Sequence, residues 1–246
     1  MARRVANGRA GHRRAAASGR PGWLWRLAGL VVLAALVGLG WGWWQMRHWT
    51  PSRQRYAVQG VEIGAADGDV DFTALKAIGA DFAYIDASAS AFARDPAVVR
   101  NLDGARAAGL QLGAVHQYDP CQPADRQAAN FVTVVPRDAK MLPPAVELVR
   151  LADDCPVHVS DAAVVSELMT FLNQIETHTG KAAILKIGPE FESRYHIARA
   201  LDRNLWLMRD RLEPDYAGRP FAMWTANAAL DNTADEHPLR WVVVQS

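Results

Sequence analysis

Glu62, Asp86 and Glu147 each stand at or near the end of a short apolar run that reads as a β-strand, and His116, Trp206 and Trp224 occupy equivalent positions in three further runs. If these strands are parallel and close into a barrel, all six residues gather at the C-terminal mouth, where such barrels place their chemistry. Two carboxyl groups around one bond, with a third acid nearby, are the equipment of glycoside hydrolysis. Each residue also has an ordinary structural use. An acid at a strand end can be solvated or salt-bridged, a histidine inside an apolar strand can be a hydrogen-bonded core residue, and tryptophans can pack in the core rather than stack on sugar rings. No metal site is expected, because two cysteines and scattered histidines lack ligand spacing, and no cofactor is expected.

The elements that must position these residues alternate. Strand candidates run over 58–63, 82–87, 112–118, 143–149, 182–187, 204–208, 221–225 and 240–244. Helical spacing appears over 72–79, 97–108, 123–134 and 161–178, with Asp71 and Asp161 as capping residues and Gly109 and Gly180 as stops. Strands alternating with helices imply parallel βαβ units. The expected fold class is α/β, an irregular TIM-like (β/α) barrel preceded by one transmembrane helix.

Charge is unevenly distributed. The net charge of +1 hides ten Arg and no Asp, Glu or Lys in residues 1–61, while all 26 acids fall in 62–246 against 17 Lys and Arg. The acidic remainder argues against a nucleic-acid groove, which needs a basic face. Residues 27–46 form a 20-residue stretch without a charge, about 30 Å long as a helix, which matches a bilayer core. Trp23 and Trp25 precede it, and Trp41, Trp43, Trp44 and Trp49 close it, as in interfacial aromatic belts. Seven arginines at or before Arg26 put the N-terminus in the cytoplasm. A cleaved signal peptide is the competing reading, but it wants a shorter apolar core and small residues where this chain has GWGWWQM. The expected organisation is a basic cytoplasmic tail (1–26), a membrane span (27–46), a linker (47–56) and an exported domain (57–246). The protein is then a single-pass protein of the inner membrane, with its domain in the periplasm or outside.

The only cysteines, Cys121 and Cys155, follow the third and fourth predicted strands and fall on neighbouring loops of one rim. In an exported domain disulfides persist, so a Cys121–Cys155 bond is expected.

Several stretches in order, among them VQGVEIG, DVDFTALKAIGADFAYIDAS, DPAVVRNLDGARAAGLQLGAVHQY and LPPAVELV, resemble glycoside hydrolase family 25, the lysozymes that cleave the muramic-acid linkage of peptidoglycan. The resemblance covers about residues 57–246. It implies an acid pair on the fourth predicted strand, in the pattern P-P-x-x-D-x-E, where alternate residues share a side. Here Pro143 and Pro144 are followed by Glu147 in the Asp position and Val149 in the position of the proton-donating Glu. The first-strand pattern G-[IV]-D-[VI]-S becomes Gly60-Val61-Glu62-Ile63-Gly64, and the second-strand pattern K-A-[ST]-E-G becomes Asp86-Ala87-Ser88-Ala89-Ser90. Arg240 takes the position of the Asp in the V-D-x-N pattern before the last strand, while His116 matches the family's A-Y-H.

The resemblance therefore implies a domain directed at peptidoglycan or a related glycan, with Glu147 and Glu62 as its remaining catalytic acids and Asp86, His116, Trp206 and Trp224 as substrate contacts. Valine donates no proton, and a general acid is worth about 10²–10⁴-fold. A weak or absent muramidase activity is expected. An active muramidase and a non-catalytic glycan-binding or protein-scaffold module stand as the alternatives.

Overall fold

A computed structural model describes residues 22–232 and 237–245. Most of the expected basic tail, residues 1–21, lies outside the described residues. The chain divides into two compact units, 1–45 and 46–246.

The first unit holds α1 (Gly22–Arg47), which continues two residues into the second. Its 26 residues span about 39 Å at about 1.5 Å per residue, and none of its residues is buried against protein. It is the one helix among the described residues long and apolar enough to cross a membrane.

The second unit is a closed eight-stranded barrel. Its strands are β1 (Gln59–Ile63), β2 (Phe82–Ala89), β4 (Gln111–Gln117), β5 (Ala145–Leu148), β6 (Ile184–Ile187), β7 (Asn204–Met208), β8 (Met223–Leu230) and β9 (Leu239–Val244), and the β1–β2 pairing closes the ring. The two-residue β3 (Ala93–Arg94) turns back on β2 as a hairpin. All eight expected barrel strands are present. The pairings from β1 and β2 through β8 are parallel, but β9 runs antiparallel to both neighbours, a departure from an all-parallel reading. The physical reason is the length of the connection between Leu230 and Leu239, which is shorter than the dozen or more residues that a parallel return needs.

Helices α2 (Phe72–Ala77), α3 (Val98–Ala107), α4 (Ala124–Val134) and α5 (Asp161–Thr179) follow the expected segments. Asp71 caps α2 by accepting from Thr73 and Ala74 N–H groups, and Gly180 ends α5 at φ 71°, a left-handed cap that favours glycine. Short α6 (Pro189–Tyr195) and α7 (Ile197–Ala200) fill the β6–β7 connection.

Strand residues alternate between two cores. Val61, Ile85, Val146, Leu185 and Leu207 point outward to the helices. Phe82, Tyr84, Val115, Ala145, Ile184, Trp206, Met223 and Val242 plug the barrel interior. A Cβ at Gly113 would meet the Tyr84 ring at 2.2 Å, so this glycine makes room for the plug.

Segment 47–56, expected as a polar linker, packs on the barrel. Tyr56 is buried, and the rings of Trp49 and Tyr56 lie 6.3 and 5.8 Å from Trp224. Cys121 and Cys155 are bonded, with a Cα–Cα distance of 5.2 Å, joining the loops after β4 and β5.

Candidate active site

Above the apolar plug, alternate residues of the same strands turn polar. Glu62 on β1, Asp86 on β2, Glu147 on β5, Lys186 on β6 and Arg240 on β9 converge there. Asp67, from the turn after β1, completes the group.

Two cations organise the acids. Lys186 Nζ lies 2.5 Å from Glu62 Oε1 and 2.7 Å from Glu147 Oε1, with its side chain 1 % exposed. Arg240 reaches Glu62 Oε1 at 3.2 Å, Asp67 Oδ2 at 3.1 Å and Asp86 Oδ2 at 3.0 Å. Asp67 Oδ2 also accepts the Gly64 N–H at 2.7 Å. A Cβ at Gly64 would meet Asp86 Oδ2 at 2.4 Å; glycine, where the family pattern has serine, gives Asp86 its place. Below the cluster, the Trp206 ring centroid lies 5.2 Å from Lys186 Nζ, close enough for a cation–π contact.

The network separates the acids electrically. Burial opposes charge on Glu62, but Lys186 and Arg240 overcome it and hold its pKa below the ordinary value. Burial and the Glu62 charge push Asp86 up to about 7, against the pull of Arg240 and Lys186. Burial works against the Lys186 charge too, yet Glu62 and Glu147 raise its pKa. Glu62 Oε2 and Asp86 Oδ1 are buried without a hydrogen-bond partner, and a proton on Asp86 removes one of the two negative charges crowded there. The site therefore holds an ionised Glu62, fixed cations and an Asp86 carboxyl that exchanges its proton near neutral pH.

The other expected site residues lie elsewhere. Val149 follows β5 at the rim and is 46 % exposed. His116 faces the helix layer, with Nδ1 at 2.8 Å from Ser88 Oγ and Nε2 at 3.3 Å from Gln127 Oε1. Burial lowers its pKa to about 4, against the Gln127 hydrogen bond, so it is neutral at pH 7. The Trp206 ring is fully buried, its Nε1 donating to Thr225 Oγ1 at 2.8 Å. Trp224 is buried under Trp49 and Tyr56 and donates to Arg209 O at 2.6 Å. The expected substrate contacts His116, Trp206 and Trp224 are corrected by their burial: alternation turns His116 and Trp224 into the helix-side core, and depth leaves Trp206 beneath the cluster with its ring covered by Lys186.

Sequence reasoning missed Lys186 and Asp67. A lone lysine inside the apolar run AAILKI was the available signal, because a charge in a strand buried on both faces requires a partner.

The chain's similarities agree with the barrel fold. The model of "Glycosyl hydrolases family 25" matches residues 61–229. A family 25 glycosyl hydrolase from Bacillus anthracis superposes with a TM-score of 0.72 at 24 % identity, covering 80 % of this chain and 92 % of that one. A bacterial lysozyme from Streptomyces coelicolor gives 0.68 at 17 % identity, covering 77 % and 92 %. A muramidase from Trichobolus zukalii gives 0.64 at 20 % identity, covering 77 % and 94 %. No curated protein matches the chain at the level of sequence. With the family model spanning most of the barrel and its fold shared by these enzymes, the chain belongs to glycosyl hydrolase family 25.

Proposed function

We propose that this protein is a membrane-anchored, lysozyme-like domain that binds peptidoglycan or a related glycan and has little or no muramidase activity. The observation that carries the reading is the pairing of Val149, in the position of the family's proton-donating Glu, with Lys186 seated between Glu62 and Glu147. A barrel mouth without its acid, and with two remaining acids bound to one lysine, can hold a glycan but has lost the group that protonates a leaving oxygen. Helix α1, with its tryptophan-flanked apolar span and the arginines before it, supports an anchor in the inner membrane with the barrel on the far side.

The test uses the detergent-solubilised full chain with purified peptidoglycan, scoring reducing-sugar release and co-sedimentation together. Co-sedimentation without release supports the proposal; release at the rate of an ordinary lysozyme refutes it. A second reading, a weakly active muramidase, draws on Asp86, whose carboxyl exchanges its proton near neutral pH. It predicts slow release that disappears in Asp86→Asn.

A further inference from the structure

The apolar span ends at Met46, which is also the first residue of the barrel unit. The Met46 carbonyl accepts a hydrogen bond from Arg211 Nε at 2.8 Å. Arg211 stands on the loop after β7, and its backbone N–H donates to Ala226 O at 2.8 Å. Its φ of 58° is a left-handed conformation that a non-glycine residue keeps only where its surroundings enforce it. Two further ties follow: Arg47 Nε lies 2.5 Å from Asp231 Oδ2, and Asn227 Nδ2 donates to Trp49 O at 2.9 Å. All these partners sit near the C-terminal ends of β7 and β8, the end at which the ionic cluster lies. A chain that leaves a bilayer at Met46 brings this rim to the headgroup layer.

The same end carries the most exposed large apolar side chains of the barrel. Phe92, at the tip of the β2–β3 hairpin, and Val157, on the loop after β5, are each 74 % exposed. Leu212, next to Arg211, is 61 % exposed, and Val99 stands in the first turn of α3, which begins at this rim. At the opposite end the exposed apolar side chains are Val58 and Ile78, both less than half exposed. Single exposed apolar residues need no explanation, but a set concentrated at one end marks an interaction surface.

We infer that the C-terminal rim of the barrel rests on the bilayer surface, with Phe92, Val157 and Leu212 among the lipid headgroups. The inference rests on reading α1 as a membrane anchor. The two native cysteines are paired, so a third can carry a spin label. The full chain is labelled at Phe92→Cys, Val157→Cys, Leu212→Cys or, at the opposite end, Lys140→Cys. Each is reconstituted in phosphatidylethanolamine–phosphatidylglycerol vesicles and examined by power saturation with oxygen and a water-soluble nickel chelate. The expected result is a several-fold higher oxygen-to-nickel accessibility at the three rim positions than at position 140. Equal, water-like accessibility at all four positions overturns the inference, provided the protein floats with the vesicles after an alkaline wash. Failure to float overturns the anchor reading, and the rim inference falls with it.

Discussion

Asp86 Oδ2 and Arg240 Nη2 lie 3.0 Å apart, and each has a charge opposite to that of its counterpart in the family pattern. Asp86 stands where that pattern has Lys, and Arg240 where it has Asp. Two positions far apart along the chain meet in space as an ion pair. Reversing one alone sets Asp86→Lys beside Arg240, or Arg240→Asp beside Glu62 and Asp86. Both single variants are expected to be destabilised, and the double variant to recover. The coupling energy should be about 1–3 kcal/mol, read from denaturant unfolding of the four proteins in a double-mutant cycle.

Lys186→Met leaves Glu62 and Glu147 facing each other without their shared cation. Breaking a buried pair costs about 3–5 kcal/mol. The melting temperature should fall markedly at pH 7, and less in acid, where a Glu62 that has lost the cation holding its pKa down takes up a proton. An equal loss at both pH values would show that packing over Trp206, rather than charge, is what Lys186 supplies.

Stability should carry an imprint of Asp86. Its folded pKa is raised to about 7 from an ordinary value of 3.8. Between those values the folded state binds more protons than the unfolded state, so this group makes stability fall as pH rises, levelling off above about pH 7. The slope is at most about 1.4 kcal/mol per pH unit. Glu62, held low, acts in the opposite sense, and its contribution is lost as pH falls below its unfolded value of 4.5. Asp86→Asn should flatten the profile from pH 4 to 7 in a series of chemical denaturation curves.

The disulfide closes a sequence separation of 34 residues, and a loop of that size is worth about 3–4 kcal/mol. Paired Cys121→Ser and Cys155→Ser changes should lower stability by that order. A loss below about 1 kcal/mol, measured by urea denaturation, would mean that packing of the two loops already fixes the rim.

Restoring the family pattern with Glu147→Asp and Val149→Glu should raise reducing-sugar release by one or more orders of magnitude in a variant shown by thermal melting to be folded, since a placed general acid supplies about 10²–10⁴-fold. The Cβ of residue 149 sits at the rim, where the new carboxyl keeps contact with water and avoids the full cost of burial. No gain would point to Lys186 and Arg240 as further blocks to turnover.

All eight barrel strands, four of the barrel's helices and the cysteine pair were legible in the sequence, because alternation, capping residues and turn signals are local, although the cap of α5 is Ser160 and not the expected Asp161 beside it. Glu62, Asp86 and Glu147 were legible as a site because each ends an apolar run. What could not be read was direction. His116, Trp206 and Trp224 sit in comparable runs, yet strand parity turns His116 and Trp224 toward the helices, and depth puts Trp206 below the mouth. The bulge between Asp86 and Ser88 also resets parity within one strand. Lys186 went unread because nothing near it along the chain announces two carboxylates contributed by β1 and β5.

The strap of residues 47–56 has a consequence for shedding. Trp49 and Tyr56 cover Trp224, and Arg47 holds Asp231, so the stretch that leads from the helix is also part of the barrel's wall. A protease that frees the domain by cutting after Tyr56 uncovers an indole and leaves a weakened fragment. Release of an intact domain requires a cut at or before Met46, inside the apolar segment that a bilayer would shield. If α1 anchors the chain as proposed, attachment and structural integrity are encoded in the same ten residues.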